Sequence, residues 1–441
     1  MSAPRRLRLL PLVAATFFMV SGGPYGLEDL VQKAGYTRAL YVLAIVPFLW
    51  SLPTALMVGE LSAAIPEEGG YYKWVRRAMG PFWGFQEAWL SLVASVFDMA
   101  IYPTLFILYL GEFIPAFAQG RMYVIVGVCV IAVAAIWNIA GVRAVGDGSI
   151  LMMIALLAPF AALAIYGILH SAGWPTLAGV ARVGNLDMLG ALSVAMWNYM
   201  GWDNASTVAG EVENPQRNYP RAMLVAAALV AFCYLIPVGA AAKAGIDPIN
   251  WSTGAWATVG HELGGRWLEL AIVVGGMICG LGMTNALLLS YTRVPYAMAL
   301  DGMLPRVLTR LHPKTGAPWV AIVVCAIAWC LCLPLGFEKL ILLDIMIYGV
   351  ALLLEFVALV VLRVREPEMP RPFHVPGGMF GAVLVGIGPA ALIGLAIVRA
   401  YGEQAGPMNA LAFGIVIGVV GVIAYVIAAA KQRRLAADQR G

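Results

Sequence analysis

Charge is scarce in this chain. Of 441 residues only 12% are Asp, Glu, Lys or Arg, against 61% hydrophobic residues, and the mean hydropathy is +0.84. A soluble domain carries roughly a quarter charged residues, so this composition excludes one and indicates an integral membrane protein. The net charge of +4 is too small to indicate a nucleic-acid partner. Histidine is almost absent: residues 170, 261, 312 and 374 lie at or outside the ends of apolar segments, without an H-E-x-x-H or G-x-S-x-G pattern. That excludes the usual hydrolytic constellations, so no enzyme is expected. The six cysteines (129, 233, 279, 325, 330, 332) fall inside apolar segments without ligand spacing. They read as small packing residues, with neither a disulfide framework nor a metal site.

What is present is a series of long apolar runs. Twelve candidate spans fall at about 11-33, 38-62, 82-112, 122-141, 149-170, 188-210, 222-243, 266-300, 318-335, 340-362, 377-400 and 408-430. Arg5, Arg6 and Arg8 before the first run suit a signal peptide, but the apolar phase extends past Val31 without a small-residue cleavage pattern. With the N-terminus inside, 19 of the 28 Lys and Arg fall in inner segments and eight in outer ones, Arg293 lying within segment eight. The positive-inside rule then predicts a multi-pass cell-membrane protein with both termini cytoplasmic. All connections are short, so residues 1-441 are expected to form one polytopic domain.

Two spans are interrupted. Segment one contains Ser21-Gly22-Gly23-Pro24-Tyr25-Gly26 and segment six contains Trp197-Asn198-Tyr199-Met200-Gly201-Trp202-Asp203-Asn204. Lipid cannot satisfy backbone groups freed at such breaks, so they are packed in protein or line a wet cavity, as in transporters with discontinuous helices. A kinked structural helix is the alternative. The N–H groups of Gly22, Gly23 and Gly26 would suit a substrate carboxylate at a positive helix end. Carbonyls from Asn198 to Gly201, with the Asn198 side chain, would suit an ammonium group. Two breaks five helices apart suggest an inverted five-plus-five repeat, about 11-170 and 188-362, with additional helices at about 377-430. The fold class is therefore all-α integral membrane, with twelve transmembrane helices and broken helices 1 and 6.

Carboxylates within spans cost at least ~2.5 kcal/mol on insertion scales and are seldom kept without a task. Asp98 lies midway through segment three with no Lys or Arg within a helical turn, so a cationic substrate or a proton is its expected partner; a structural hydrogen bond is the alternative. Asp203 follows the second break. Glu28 follows the first, where it either attracts cations or caps the half-helix. Glu60 and Glu355 read as packing or gating groups. Glu67, Glu68, Glu211 and Glu213 are expected to pair with Lys73, Arg76, Arg77, Arg217 or Arg221 at an inner gate. Tyr25, Tyr102, Tyr199 and Trp202 sit at or beside the breaks, where ring faces attract protonated amines. Trp202 is the expected lid and Tyr102 a wall, against ordinary core packing for both. The pairs Gly275-Gly276 and Gly280-Leu281-Gly282 serve internal packing as readily as a dimer, so oligomeric state is open.

The stretches Ser21 to Asp29 and Ile65-Pro66-Glu67-Glu68-Gly69-Gly70-Tyr71-Tyr72-Lys73-Trp74-Val75 resemble the amino acid, polyamine and organocation transporter superfamily. Asp98 to Pro103, Trp202 to Pro215, Asp301 to Pro305, Leu354-Glu355-Phe356 and Arg371-Pro372-Phe373 are similar to its polyamine:proton symporter group. The resemblance implies a twelve-helix inverted-repeat transporter that imports polyamines or amino acids with protons and needs no other cofactor. Some proton-coupled relatives carry a lysine in the fifth helix. Segment five, Ser149 to His170, has none, leaving Asp98, Glu28 or Asp203 as coupling candidates. Sodium is the less favoured ion, since Thr284, Asn285 and Ser290 are the neutral donors that segment eight offers. The alternatives are a neutral or cationic amino-acid permease, acting as symporter or exchanger, and a nutrient sensor on a transporter scaffold.

Overall fold

The computed structural model describes residues 6–169, 186–331, 333, 337–402, 404–405 and 408–438. His170, Cys332 and both extreme termini lie outside the described residues. Among the described residues sixteen α-helices dominate. They are α1 (Leu9–Val20), α2 (Glu28–Val46), α3 (Leu52–Ala64), α4 (Gly70–Met79), α5 (Pro81–Phe113), α6 (Gly120–Ile139), α7 (Val142–Leu169) and α8 (Met188–Asn198). After a 3-10 segment, Asp203–Glu211, come α9 (Pro215–Ala244), α10 (Ala255–Gly264), α11 (Arg266–Tyr291), α12 (Arg293–Leu300), α13 (Trp319–Cys330), α14 (Phe337–Arg365), α15 (Gly378–Gly402) and α16 (Ala410–Asp438). A pair of two-residue strands, Gln404–Ala405 and Met408–Asn409, precedes the last helix.

Among the described residues nine helical stretches are long and apolar enough to cross a membrane, and α1 and α13 are shorter apolar helices. The expected boundary between segments one and two is a single corner. Gly35, at φ 70° and ψ 161°, turns α2 without a loop, so the half-helix after the first break runs directly into the next span. Segment six is also shorter than a continuous helix, because α8 stops at Asn198 and the chain resumes as the tighter 3-10 segment.

The centre of the bundle is α5, packed against α11, α14, α4 and α6, while α1 lies between α7, α9 and α11. The glycines of α11 make this closeness possible. A Cβ on Gly276 would lie 2.3 Å from the Tyr109 ring, and one on Gly282 would lie 2.5 Å from Phe18. These glycines therefore serve packing inside the chain.

The end of the bundle bearing α4 is rich in basic residues and closed by ion pairs. Their partners differ from those expected from sequence. Lys73 donates to Asp301 at 2.8 Å, Arg76 also pairs with Asp301, Arg77 pairs with Glu366 at 2.6 Å, and Arg293 pairs with Glu211 at 3.0 Å. Glu60, fully buried, is held by Arg363 and by Arg371 at 3.4 Å. Sequence proximity suggested Glu67 and Glu68, but the chain turn at Gly69 and Gly70 carries α4 toward the end of α12.

Burial works against the Asp301 charge, but hydrogen bonds from Lys73 and Tyr72 and the charges of Lys73 and Arg76 outweigh it and hold this carboxyl below its ordinary value. A carboxylate held low stabilises the fold above its unfolded-state pKa and loses that contribution only as pH falls through the folded value. Asp301→Asn should therefore lower the melting temperature in detergent by about 2–4 °C at neutral pH. The gap to wild type should stay constant from about pH 8 to about pH 5 and close only in stronger acid. Melting curves across pH check this, and a gap that closed near neutrality would contradict it.

Candidate functional site

The first break is built by Ser21, which leaves the helix in extended conformation, and by Gly23 and Gly26 at φ 72° and 89°. Most of its freed groups are bound within the chain. Ser21 Oγ accepts from the Gly23 N–H at 3.0 Å, and Glu28 Oε2 accepts from the Gly26 N–H at 2.7 Å. Pro24 O accepts from the Trp256 indole at 2.9 Å. Glu28 is fully buried and its other oxygen accepts from the Tyr109 hydroxyl at 2.7 Å and from the Gly254 N–H at 3.1 Å. It thus places a carboxylate of the chain itself on the positive helix end and ties the break to the start of α10. Tyr25 points away from the second break and donates to Ile272 O at 2.6 Å. Gly22 lies against Cys279, whose sulfur would be 2.2 Å from an added Cβ.

The two breaks touch. The Asn198 amide donates to Gly26 O at 3.3 Å, Asn198 O accepts from Tyr234 at 2.5 Å, and Gly201, at φ 92°, backs onto the Met19 carbonyl. Beside this junction lies a small cavity of about 10 Å³, room for roughly one water, lined by Met19, Val20, Asp98, Tyr102, Trp197, Met200, Gly201, Asn204, Tyr291 and Tyr348. Asp98 Oδ1 accepts from Tyr102 and Oδ2 from Tyr291 at 2.9 Å. Asp203 accepts from Tyr348, which also accepts from the Gly201 N–H at 3.1 Å. The sequence-selected residues Asp98, Tyr102 and Gly201 thus meet at one cavity, with Asp203 linked to it through Tyr348.

Others stand apart. Tyr199 donates to Leu43 O at 2.9 Å, and Trp202 is fully buried away from the cavity lining. Tyr102, the expected wall, lines the cavity together with Trp197, stacked on it with ring centroids 6.2 Å apart and planes 17° apart. Thr284 donates to Gly280 O at 2.7 Å, Ser290 to Asn204 at 2.9 Å, and Asn285 Oδ1 accepts from Asn138 at 2.7 Å, so all three have partners in the protein.

Sequence reasoning passed over Asp344, Tyr291 and Tyr348. Asp344 is buried one turn before Tyr348 on α14, within electrostatic range of Asp98 and Asp203, and neither of its oxygens has a hydrogen-bond partner among the described residues. Among the described residues no Lys or Arg lines the cavity. Among the described residues no cluster of His, Cys, Asp and Glu is suited to hold a metal ion, and no disulfide is present.

Broken helices meeting at a buried polar cavity inside a multi-pass bundle define a membrane transporter, not an enzyme. The chain matches the amino acid permease family over residues 13–423 and belongs to it. It is 36% identical to polyamine transporter RMV1 of Arabidopsis thaliana over 421 residues, 94% of this chain and 84% of that protein. It is 35% identical to polyamine transporter PUT1 of Oryza sativa subsp. japonica over 94% of this chain and 78% of that one. A more distant likeness, 26% over 79% of this chain and 80% of the relative, is to the serine/threonine exchanger SteT of Bacillus subtilis (strain 168).

Proposed function

We propose that this chain imports linear polyamines by alternating access, driven by the proton gradient. In this reading the basic end of the bundle faces the cytoplasm, and twelve spans form an inverted five-plus-five repeat with two further helices. One observation carries the choice of substrate. Of three buried carboxylates, Asp98 lines a tyrosine-rich cavity that no described Lys or Arg lines, Asp203 accepts from its Tyr348, and Asp344 lies within electrostatic range of both. Buried charges of one sign call for a counter-charge, which protonated amines supply, while Trp197 and Tyr102 offer ring faces to the methylene chain and its ammonium ends.

The alternative, amino-acid transport, is favoured by the likeness to an exchanger of serine and threonine. It needs a home for the substrate carboxylate, and of the Gly22, Gly23 and Gly26 N–H groups expected to provide one, those of Gly23 and Gly26 already bond Ser21 and Glu28. Thermal stability of the purified protein separates the two. At a concentration near 100 times Kd a ligand stabilises its protein by about 2.7 kcal/mol, so putrescine and spermidine should each raise the melting temperature while serine and leucine leave it unchanged. Stabilisation by serine or leucine, with none by spermidine, would select the amino-acid reading.

A further inference from the structure

We propose that Glu87 and Glu355 form a second carboxylate tier, separate from the cavity, and that this tier carries the coupling proton. The inference rests on the proton-coupled reading above and assigns the ion to residues outside the amine cavity.

The geometry comes from two helices. On α5, Glu87 and Asp98 are 11 residues apart, as are Asp344 and Glu355 on α14. Eleven residues make three helical turns, so each pair lies on one face about 16 Å apart along its helix. The two helices pack together, and in the proposed topology they run in opposite directions. Asp98 is thereby set beside Asp344 and Glu87 beside Glu355, the latter pair nearer the basic end. Asp203, on the 3-10 segment, is within electrostatic range of both Glu355 and Glu87 and so links the tiers.

Glu87 and Glu355 are both fully buried. Ser91 donates to one oxygen of Glu87 at 2.8 Å, while the other oxygen of Glu87 and both oxygens of Glu355 have no hydrogen-bond partner among the described residues. The groups facing them are Asp203, Tyr71 from α4, whose buried hydroxyl is also unpartnered, and Tyr348 from α14. No Lys or Arg among the described residues pairs with either glutamate, because Lys73 and Arg76 on α4 are turned to Asp301. Two carboxylates in such a place cannot both keep their charge without a cation, and the smallest cation that answers this need is a proton. Orphan oxygens leave room for it to sit on either residue. In the step proposed, an O–H bond breaks at Asp203 and one forms at Glu355 or Glu87, so that amine release and proton release use different carboxylates.

The test uses the full chain in proteoliposomes and the variants Glu87→Gln, Glu355→Gln and their combination. Two activities are read: accumulation of labelled putrescine under an acidic exterior, and counterflow of labelled putrescine at equal pH. The double variant should lose about tenfold or more of the gradient-driven accumulation and keep counterflow within about twofold of wild type. Retained gradient-driven accumulation in the double variant would overturn the inference. A wild-type protein that performs counterflow but never responds to the gradient would overturn the proton-coupled reading and the inference with it, a distinguishable result. Should the double variant lose both activities, infrared difference spectra of wild-type protein carrying carbon-13 glutamate decide. A label-sensitive protonated-carboxyl band that changes with internal pH supports the tier, and absence of such a band overturns it.

Discussion

Asp98→Asn should reduce kcat/KM for putrescine uptake by about a hundredfold or more, corresponding to roughly 2.7 kcal/mol of lost transition-state stabilisation. Asp98 is 4% exposed and lies midway along α5 at the cavity, with its two oxygens accepting from Tyr102 and Tyr291. The amide replacement removes the charge that an ammonium group would meet. It also replaces one acceptor oxygen with a donor facing a tyrosine hydroxyl, so the aromatic wall formed by Tyr102 and Trp197 loses its anchor. Tyr102→Phe keeps the charge and removes one hydrogen bond, so it should cost only about threefold to tenfold. Uptake kinetics of both variants, at matched amounts of folded protein, give the comparison. Equal losses in the two would show that the hydrogen bond, and not the charge, is what matters.

Gly201→Ala should abolish transport and sharply lower the yield of folded protein. The residue holds φ 92° in the second break, and an added Cβ would lie 2.3 Å from the Met19 carbonyl oxygen in the first. The left-handed conformation alone costs an alanine about 1–3 kcal/mol. The clash is with backbone, which has no rotamer to turn aside, so the two breaks would have to separate. That separation would move Met19, Val20 and the Tyr348 hydroxyl that accepts from the Gly201 N–H, all of which line the cavity. Size-exclusion chromatography and a melting curve in detergent check the outcome. A normally folded, active Gly201→Ala protein would show that the junction is looser than the structure implies.

Both breaks were legible in the sequence because glycine, proline and paired polar residues have no reason to interrupt an apolar run except to free backbone there. Asp98 was legible for a similar reason, being a lone charge amid apolar neighbours. Gly35 was not, since a glycine between Ala34 and Tyr36 reads as part of a loop, and only its backbone angles reveal a one-residue corner. Trp202, the expected lid, is not among the residues lining the cavity while Trp197 is, because the helix ends between them and the direction of a side chain beyond a helix end depends on backbone angles that periodicity does not encode. Asp344 and Glu87 were passed over when their segments were read for length and hydropathy. A signal did exist: the 11-residue interval from Glu87 to Asp98 and again from Asp344 to Glu355 places each pair on one helical face. Which helix that face meets is a matter of tertiary packing, as is the meeting of Tyr291 and Tyr348 at the cavity.

Whether a proton gradient drives linear polyamines through this site is read from the uptake of labelled putrescine into proteoliposomes. Uptake would be measured with and without an acidic exterior, with unlabelled spermidine, arginine and leucine as competitors. Accumulation should require the gradient, be blocked by spermidine and be insensitive to leucine. No putrescine uptake, in protein that carries leucine or arginine under the same gradient, would contradict it.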